Sequence, residues 1–181
     1  MRQLDYPEKH HLNFAFGWLA LGNVTEAKLE ADQISWFNRF HPEVFPVRWR
    51  IHARSEDWEA ARDMARIFTK ICPNHLTGWL CLSFSLFKLK RPFDAYLQLH
   101  HQARAFPKVS AIPYFLACYS WGMGDCKGAG EWLARYKQAG GGKRIRSRIL
   151  DHLEIVLHSD VLASDVPAPG ESEGDVKIPL S

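Results

Sequence analysis

The chain has 181 residues, of which 46% are hydrophobic and 13% aromatic, and its formal net charge is +3. That is enough apolar material for one core, in one ordinary domain or one short solenoid. It excludes the dense cationic surface of a dedicated nucleic-acid binder, and no run approaches the roughly 18 apolar residues of a membrane-spanning helix. Residues 1–16 carry charges, Pro7 and two histidines where a secretory signal would be apolar. Cys72, Cys81, Cys118 and Cys126 show no CxxC spacing. This argues against a zinc ribbon or a thioredoxin-like motif and predicts reduced, mostly core thiols in a cytoplasmic protein.

Ala27, Ala61, Ala95 and Ala129 recur every 34 residues. A fixed period of that size marks a stacked-repeat architecture. An alanine once per unit is explained by two helices crossing so closely that only a methyl group fits between them. The register predicts units over 8–41, 42–75, 76–109 and 110–141, each with a helix A, a turn and a helix B. In the first unit, Phe14, Ala15 and Trp18 mark helix A, Gly22-Asn23 the turn, and Ala31 and Ile34 helix B. Arg39 stands where later units have a closing proline, and Pro42 comes three residues on, so this helix B is expected to run on.

The second unit has Arg48-Trp49 at the place where a leucine and a small residue are expected, then the turn Glu56-Asp57, Ala65, Phe68 and the closing Pro73. The third carries Trp79, Leu82, Ser83 and Leu86 at i, i+3, i+4, i+7, then Lys90-Arg91, Leu99 and Pro107. The fourth has Leu116, Ala117 and Ser120, then Gly124-Asp125, Leu133 and Tyr136. The turn residues are of types that leave a helix easily or cap the next one. Glu26, Glu59 and Asp94 place negative charge at the positive end of helix B. Gly140-Gly141-Gly142 ends the register, and Lys143 to His158 predicts an amphipathic helix that caps the stack and completes a 1–158 solenoid. Residues 159–181, with three prolines, two glycines and five acidic residues, predict a disordered tail.

At these columns the chain resembles the tetratricopeptide repeat proteins over roughly residues 8–141. Trp79, Leu82-Ser83, Leu86, Ala95 and Pro107 match the repeat pattern best, and Leu116-Ala117, Gly124-Asp125, Ala129 and Tyr136 keep it. More narrowly, Arg48-Trp49-Arg50-Ile51, Phe106-Pro107, Ile112-Pro113-Tyr114 and Leu116-Ala117-Cys118-Tyr119 resemble small stand-alone bacterial repeat proteins with no assigned activity. The resemblance implies an all-α, right-handed α-α superhelix of about four helix pairs plus a C-terminal capping helix. It also implies a concave groove lined from helix A of each unit. Carried over, those positions are Leu12, Phe16 and Leu19, then Arg50 and Arg54, then Leu80, Phe84, Phe87 and Lys88, then Tyr114, Cys118 and Trp121. Phe16, Arg50, Arg54, Phe84, Phe87, Lys88, Tyr114 and Trp121 are the expected partner-binding set, since aromatics and arginine are enriched at binding hot spots. Chaperone-binding members of the family clamp a peptide's terminal carboxylate with Lys and Asn where Leu12 and Phe16 stand here. The expected ligand is therefore an apolar or mixed peptide.

Other chemistries find little support. His10-His11 and His100-His101 are adjacent pairs, and neighbours on a helix diverge by about 100°, which suits no single metal. Gly140 to Arg144 lacks the leading glycine and the Ser or Thr of a phosphate loop. Lys143, Arg144, Arg146 and Arg148 lie opposite an apolar stripe and read as a solvated face more readily than as an RNA contact. The sequence thus predicts a non-catalytic protein–protein interaction scaffold for a protein or peptide partner. It predicts no cofactor, no metal and no membrane partner, and leaves self-association open. The alternative is a chaperone for an apolar secretion substrate; a metal-dependent enzyme or an RNA binder is less well supported.

Overall fold

The computed structural model describes residues 4–139. Its helices are α1 (Tyr6–Ala20), α2 (Val24–Asp32), α3 (Phe45–Arg54), α4 (Trp58–Ile71), α5 (Leu76–Lys88), α6 (Pro92–Gln102), α7 (Ala111–Gly122) and α8 (Cys126–Gln138), with a 3-10 turn at Trp36–Asn38. Among the described residues there is no strand. Each helix packs on its neighbours in the chain, which makes four antiparallel pairs; α1 also meets α3, and α3 meets α5. The result is an all-α solenoid of paired helices. The capping helix expected at 143–158 and the tail expected at 159–181 lie outside the described residues.

The alanine column sits where close helix crossing demands it. Ala27, Ala61 and Ala95 have no exposed surface, and Ala129 has 4%. Each is the fourth residue of the second helix of its pair, and each of those helices packs on the helix before it.

The turns repeat as strictly as the alanines. Gly22, Glu56, Lys90 and Gly124 all have positive φ, at 80°, 57°, 61° and 79°. The next residue caps the following helix in three of the four turns. Asn23 accepts a hydrogen bond from Glu26 N (3.1 Å), Asp57 from Ala60 N (3.2 Å) and Asp125 from Gly128 N (2.9 Å). At Arg91 the cap is replaced by Pro92 in the first turn of α6 and by a 2.7 Å bond from Arg91 Nε to Asp94. The left-handed conformation costs an L side chain about 1–2 kcal/mol, which glycine avoids. Lys90→Gly and Glu56→Gly are therefore each expected to stabilise the fold by about 0.5–1 kcal/mol after the added chain entropy of glycine. Urea unfolding midpoints measure this, and a lower midpoint for both variants would contradict it.

The first unit departs from expectation. α2 ends at Asp32 and does not run on toward Pro42. The reason is Glu8 on α1, whose carboxylate accepts hydrogen bonds from Ser35 N (3.1 Å) and Asn38 Nδ2 (2.6 Å). These bonds draw the chain into the 3-10 turn. Hydrogen bonding from Ser35, opposed by burial and aided by Asn38, holds the Glu8 carboxyl below its ordinary pKa. Phe14, placed on the apolar face of α1 by the repeat register, is exposed and lies edge-on to His10.

The second unit departs in a more informative way. Trp49 occupies the column that holds Ala15, Ser83 and Ala117 in the other units, yet it is fully buried. Its indole Nε1 donates to Ser85 Oγ at 3.0 Å, and Ser85 Oγ donates to Cys81 O at 2.8 Å. One unit later the sizes reverse: Tyr119 OH donates to Ser83 Oγ at 3.1 Å. Both contacts span 36 residues, joining the same two columns of successive units. A large side chain on one side is matched by serine on the other, so the interface keeps its volume and satisfies its buried polar atoms.

Candidate interaction surface

The side chains expected to line a groove come from the first helices of the four pairs, but they do not form one continuous exposed surface. Leu12, Leu19 and Leu80 are buried in the core. Phe84, expected to face the groove, is also a core residue at 1% exposure. Its ring lies edge-on to Trp49, Trp58 and Phe115, with centroids at 6.1, 5.8 and 6.3 Å. Three neighbouring aromatics pack around it, so it lies inside the core and not on a groove.

The remaining positions fall into four groups. Phe16, 39% exposed on α1, lies with its ring centroid 5.3 Å from the guanidinium carbon of Arg50 on α3, and Arg54 follows one turn later and is exposed. Lys88 at the end of α5 stands with its ammonium 5.2 Å from the Trp58 ring. Phe87 is half-buried against Tyr119 (5.2 Å) and against Gly122, where an added Cβ would sit 2.8 Å from the Phe87 ring. Trp121, beside that glycine, is 45% exposed. Tyr114 turns toward the second helix of its own pair, with its ring 5.4 Å from Tyr136 on α8. Trp58, which the repeat columns pass over, stands beside Lys88. Its sequence signal is a large aromatic directly after the capping Asp57, which starts α4 beside the end of α5.

Arg50 has an unusual environment. It is 1% exposed, and burial lowers its pKa to about 10, with Arg54 pushing in the same direction. Its Nε and Nη2 have no hydrogen-bond partner among the described residues. Cys81 is close enough to interact, but burial pushes that thiol far above its usual pKa, so it carries no charge at neutral pH.

The surface offers little for covalent or metal chemistry. Burial also raises the Cys118 thiol to about 11 and raises Cys72, so neither presents a thiolate nucleophile near neutral pH. His11 Nδ1 is 2.8 Å from Glu30 Oε2, while His10 lies between the Tyr6 and Phe14 rings. His100 packs beside Tyr96 and Trp132. Among the described residues, no three His, Cys, Asp or Glu side chains converge in a set that could hold a metal ion. Nor is any helix among them long and apolar enough to cross a membrane.

Four antiparallel pairs, a buried alanine every 34 residues and a left-handed turn with a capping residue define a tetratricopeptide-like solenoid. Among solved structures, the MamA RS-1 ArsTM double mutant is similar in fold, with a TM-score of 0.64 and 18% identity over 86% of this chain and 96% of that one. MamA MSR-1 C2 is similar at a TM-score of 0.56 and 13% identity, over 88% of this chain and all of that one. No protein-family model and no curated protein sequence matches the chain.

Proposed function

We propose that the protein is a non-catalytic interaction scaffold that holds a peptide or a partner surface along the first helices of its pairs. The observation that carries this reading is the set of incompletely buried aromatic and cationic side chains on α1, α3, α5 and α7. Phe16, Arg54, Phe87, Lys88, Tyr114 and Trp121 are the contact residues in this reading, Arg50 lies beneath Phe16, and Phe84 supports the surface from the core. Large apolar groups left in water forgo roughly 1.5–3 kcal/mol each compared with full burial, and a partner that covers them recovers it. The fold likeness to the two MamA structures is compatible with this role.

The test uses the full chain as bait in extract from its own source. Phe16→Ala combined with Trp121→Ala removes two side chains that lie largely outside the core. Capture of the partner is expected to fall at least tenfold, the scale of about one hot-spot residue, while the unfolding midpoint stays within the range of an ordinary surface change. Undiminished capture by the double variant overturns the reading. A partner that stays soluble only when produced together with this chain would favour the chaperone alternative.

A further inference from the structure

An open cleft of about 550 Å³ lies between α4, α5 and α6. Leu82 and Leu86 line it from α5, and on that helix they point about 200° away from Phe84 and Lys88. The cleft is therefore on the other side of α5 from the interaction surface described above. Trp79 continues the apolar strip by one turn, over about 10 Å of helix. Leu82 and Leu86 are each 6% exposed, while Trp79 is half-buried with its indole Nε1 donating to Pro73 O at 2.8 Å.

Beside this strip the charge is one-sided. Arg62, Arg66 and Lys70 line the cleft from α4 at intervals of one turn, and Arg91 lines it from α6 with Asp94 as the one carboxylate. Two of these cations are well held, Arg62 by Glu59 and Asp63 and Arg91 by Asp94 at 2.7 Å. The other two are not. Arg66 reaches Asp63 at 3.4 Å, a carboxylate that Arg62 already holds at 2.9 Å, and 62% of its side chain is exposed. Lys70 is exposed and has no ion pair among the described residues.

Arg66 and Lys70 are separated by about 6 Å along the helix axis. Two acidic side chains one turn apart on a helix, or two residues apart on an extended strand, have the same separation. A nucleic acid fits less well. Its successive phosphates would meet Asp94, Asp63 and Glu59, and Leu82 and Leu86 offer no ring on which a base could stack.

We propose that the cleft between α4, α5 and α6 is a second docking site, for a partner peptide that carries paired Asp or Glu side chains among leucine-type residues. The carboxylates pair with Arg66 and Lys70, and the apolar side chains lie on Trp79, Leu82 and Leu86. The proposal stands on this cleft and does not require the groove reading.

The test is a titration of the full chain, with tryptophan labelled with nitrogen-15, against the peptide Leu-Glu-Glu-Leu-Leu-Glu-Glu-Leu blocked at both ends. The control is the same peptide with Gln in place of Glu. The Trp79 indole N–H resonance, assigned by its loss in Trp79→Phe, is expected to shift saturably with the Glu peptide and to do so less readily as salt is raised. The Gln peptide should bind at least tenfold more weakly. Arg66→Ser combined with Lys70→Ser should weaken the Glu peptide by a similar factor, while the melting temperature moves no more than for an ordinary surface change. Reversing both charges, Arg66→Glu with Lys70→Glu, should transfer the preference to the same peptide with Lys in place of Glu. No shift, an equal response to the Glu and Gln peptides, or undiminished binding by the serine variant overturns the proposal. A short oligothymidylate that displaces the Glu peptide at equal concentration also overturns it and assigns the cleft to nucleic acid. The chain's own Asp160, Asp165, Glu171, Glu173 and Asp175 are checked by changing all five to amides. If that change alone moves the Trp79 resonance, the carboxylates come from this chain and the partner assignment fails. The Phe16 and Trp121 capture experiment reads the other side of α5, so each reading can fail while the other stands.

Discussion

Replacing Trp49 by serine is expected to cost the fold about 4 kcal/mol, and adding Ser85→Tyr to that variant is expected to restore roughly half of it. Trp49 is fully buried, packs edge-on to Phe84 and satisfies its indole N–H on Ser85. Removing it leaves a large cavity between the second and third pairs and takes the indole donor from Ser85, whose hydroxyl keeps its bond to Cys81 O. The double variant copies the arrangement one unit later, where Ser83 faces Tyr119 across the same two columns. Ser85→Tyr alone should be destabilising by about 2 kcal/mol, since it adds a ring to a space that Trp49 already fills. Urea unfolding of the four proteins gives the coupling energy of the cycle. If the double variant is less stable than Trp49→Ser alone, the size exchange between columns is not what holds these units together.

Ala95→Leu is expected to destabilise the protein by about 3 kcal/mol, the upper part of the range for overpacking a close-packed site. Ala95 has no exposed surface and lies in the core on α6, which packs on both α5 and α7. Three added carbons there force α6 away from these neighbours. The same substitution at Ala134, exposed on α8, is expected to stay within about 0.5 kcal/mol of wild type. Thermal and urea unfolding of both variants are the measurements. Equal effects at the two sites would mean that the alanine column does not mark tight crossings.

These results bear on how the interaction surface should be probed. Phe84→Ala looks like a groove mutation from the repeat register, but its ring joins Trp49, Trp58 and Phe115 in one aromatic cluster. Loss of binding by such a variant would report an unfolded domain. Phe16 and Trp121 are the cleaner probes because their burial is incomplete. The column assignments were legible in the sequence for both kinds of residue, since helical periodicity places a side chain on a face. Whether that face is then covered depends on rings contributed by other helices, 26 to 35 residues away in the chain.

The same division explains Arg50. Its position on the first helix of the second pair could be read from the 34-residue register, and its chemistry pointed to an interaction surface. Its complete burial, the missing acceptors on Nε and Nη2 and the Phe16 ring beside it could not be read. Trp58 is the converse case, a residue that the repeat columns pass over and that the packing of α4 against α5 brings beside Phe84 and Lys88.

By itself the sequence determined the helix pairs, the position of each turn and the alanines at the crossings. These rest on local chemistry: a left-handed residue followed by a cap, and a methyl-sized gap repeated at constant spacing. Only the tertiary structure decided where α2 stops, because Glu8 on another helix supplies the bonds that divert the chain. Only it showed how Trp49 fits, because the space for it is made by a serine 36 residues away. Periodicity specifies the direction in which a side chain points; the volume, charge and hydrogen-bond partners it meets there come from distant segments brought together by the stack.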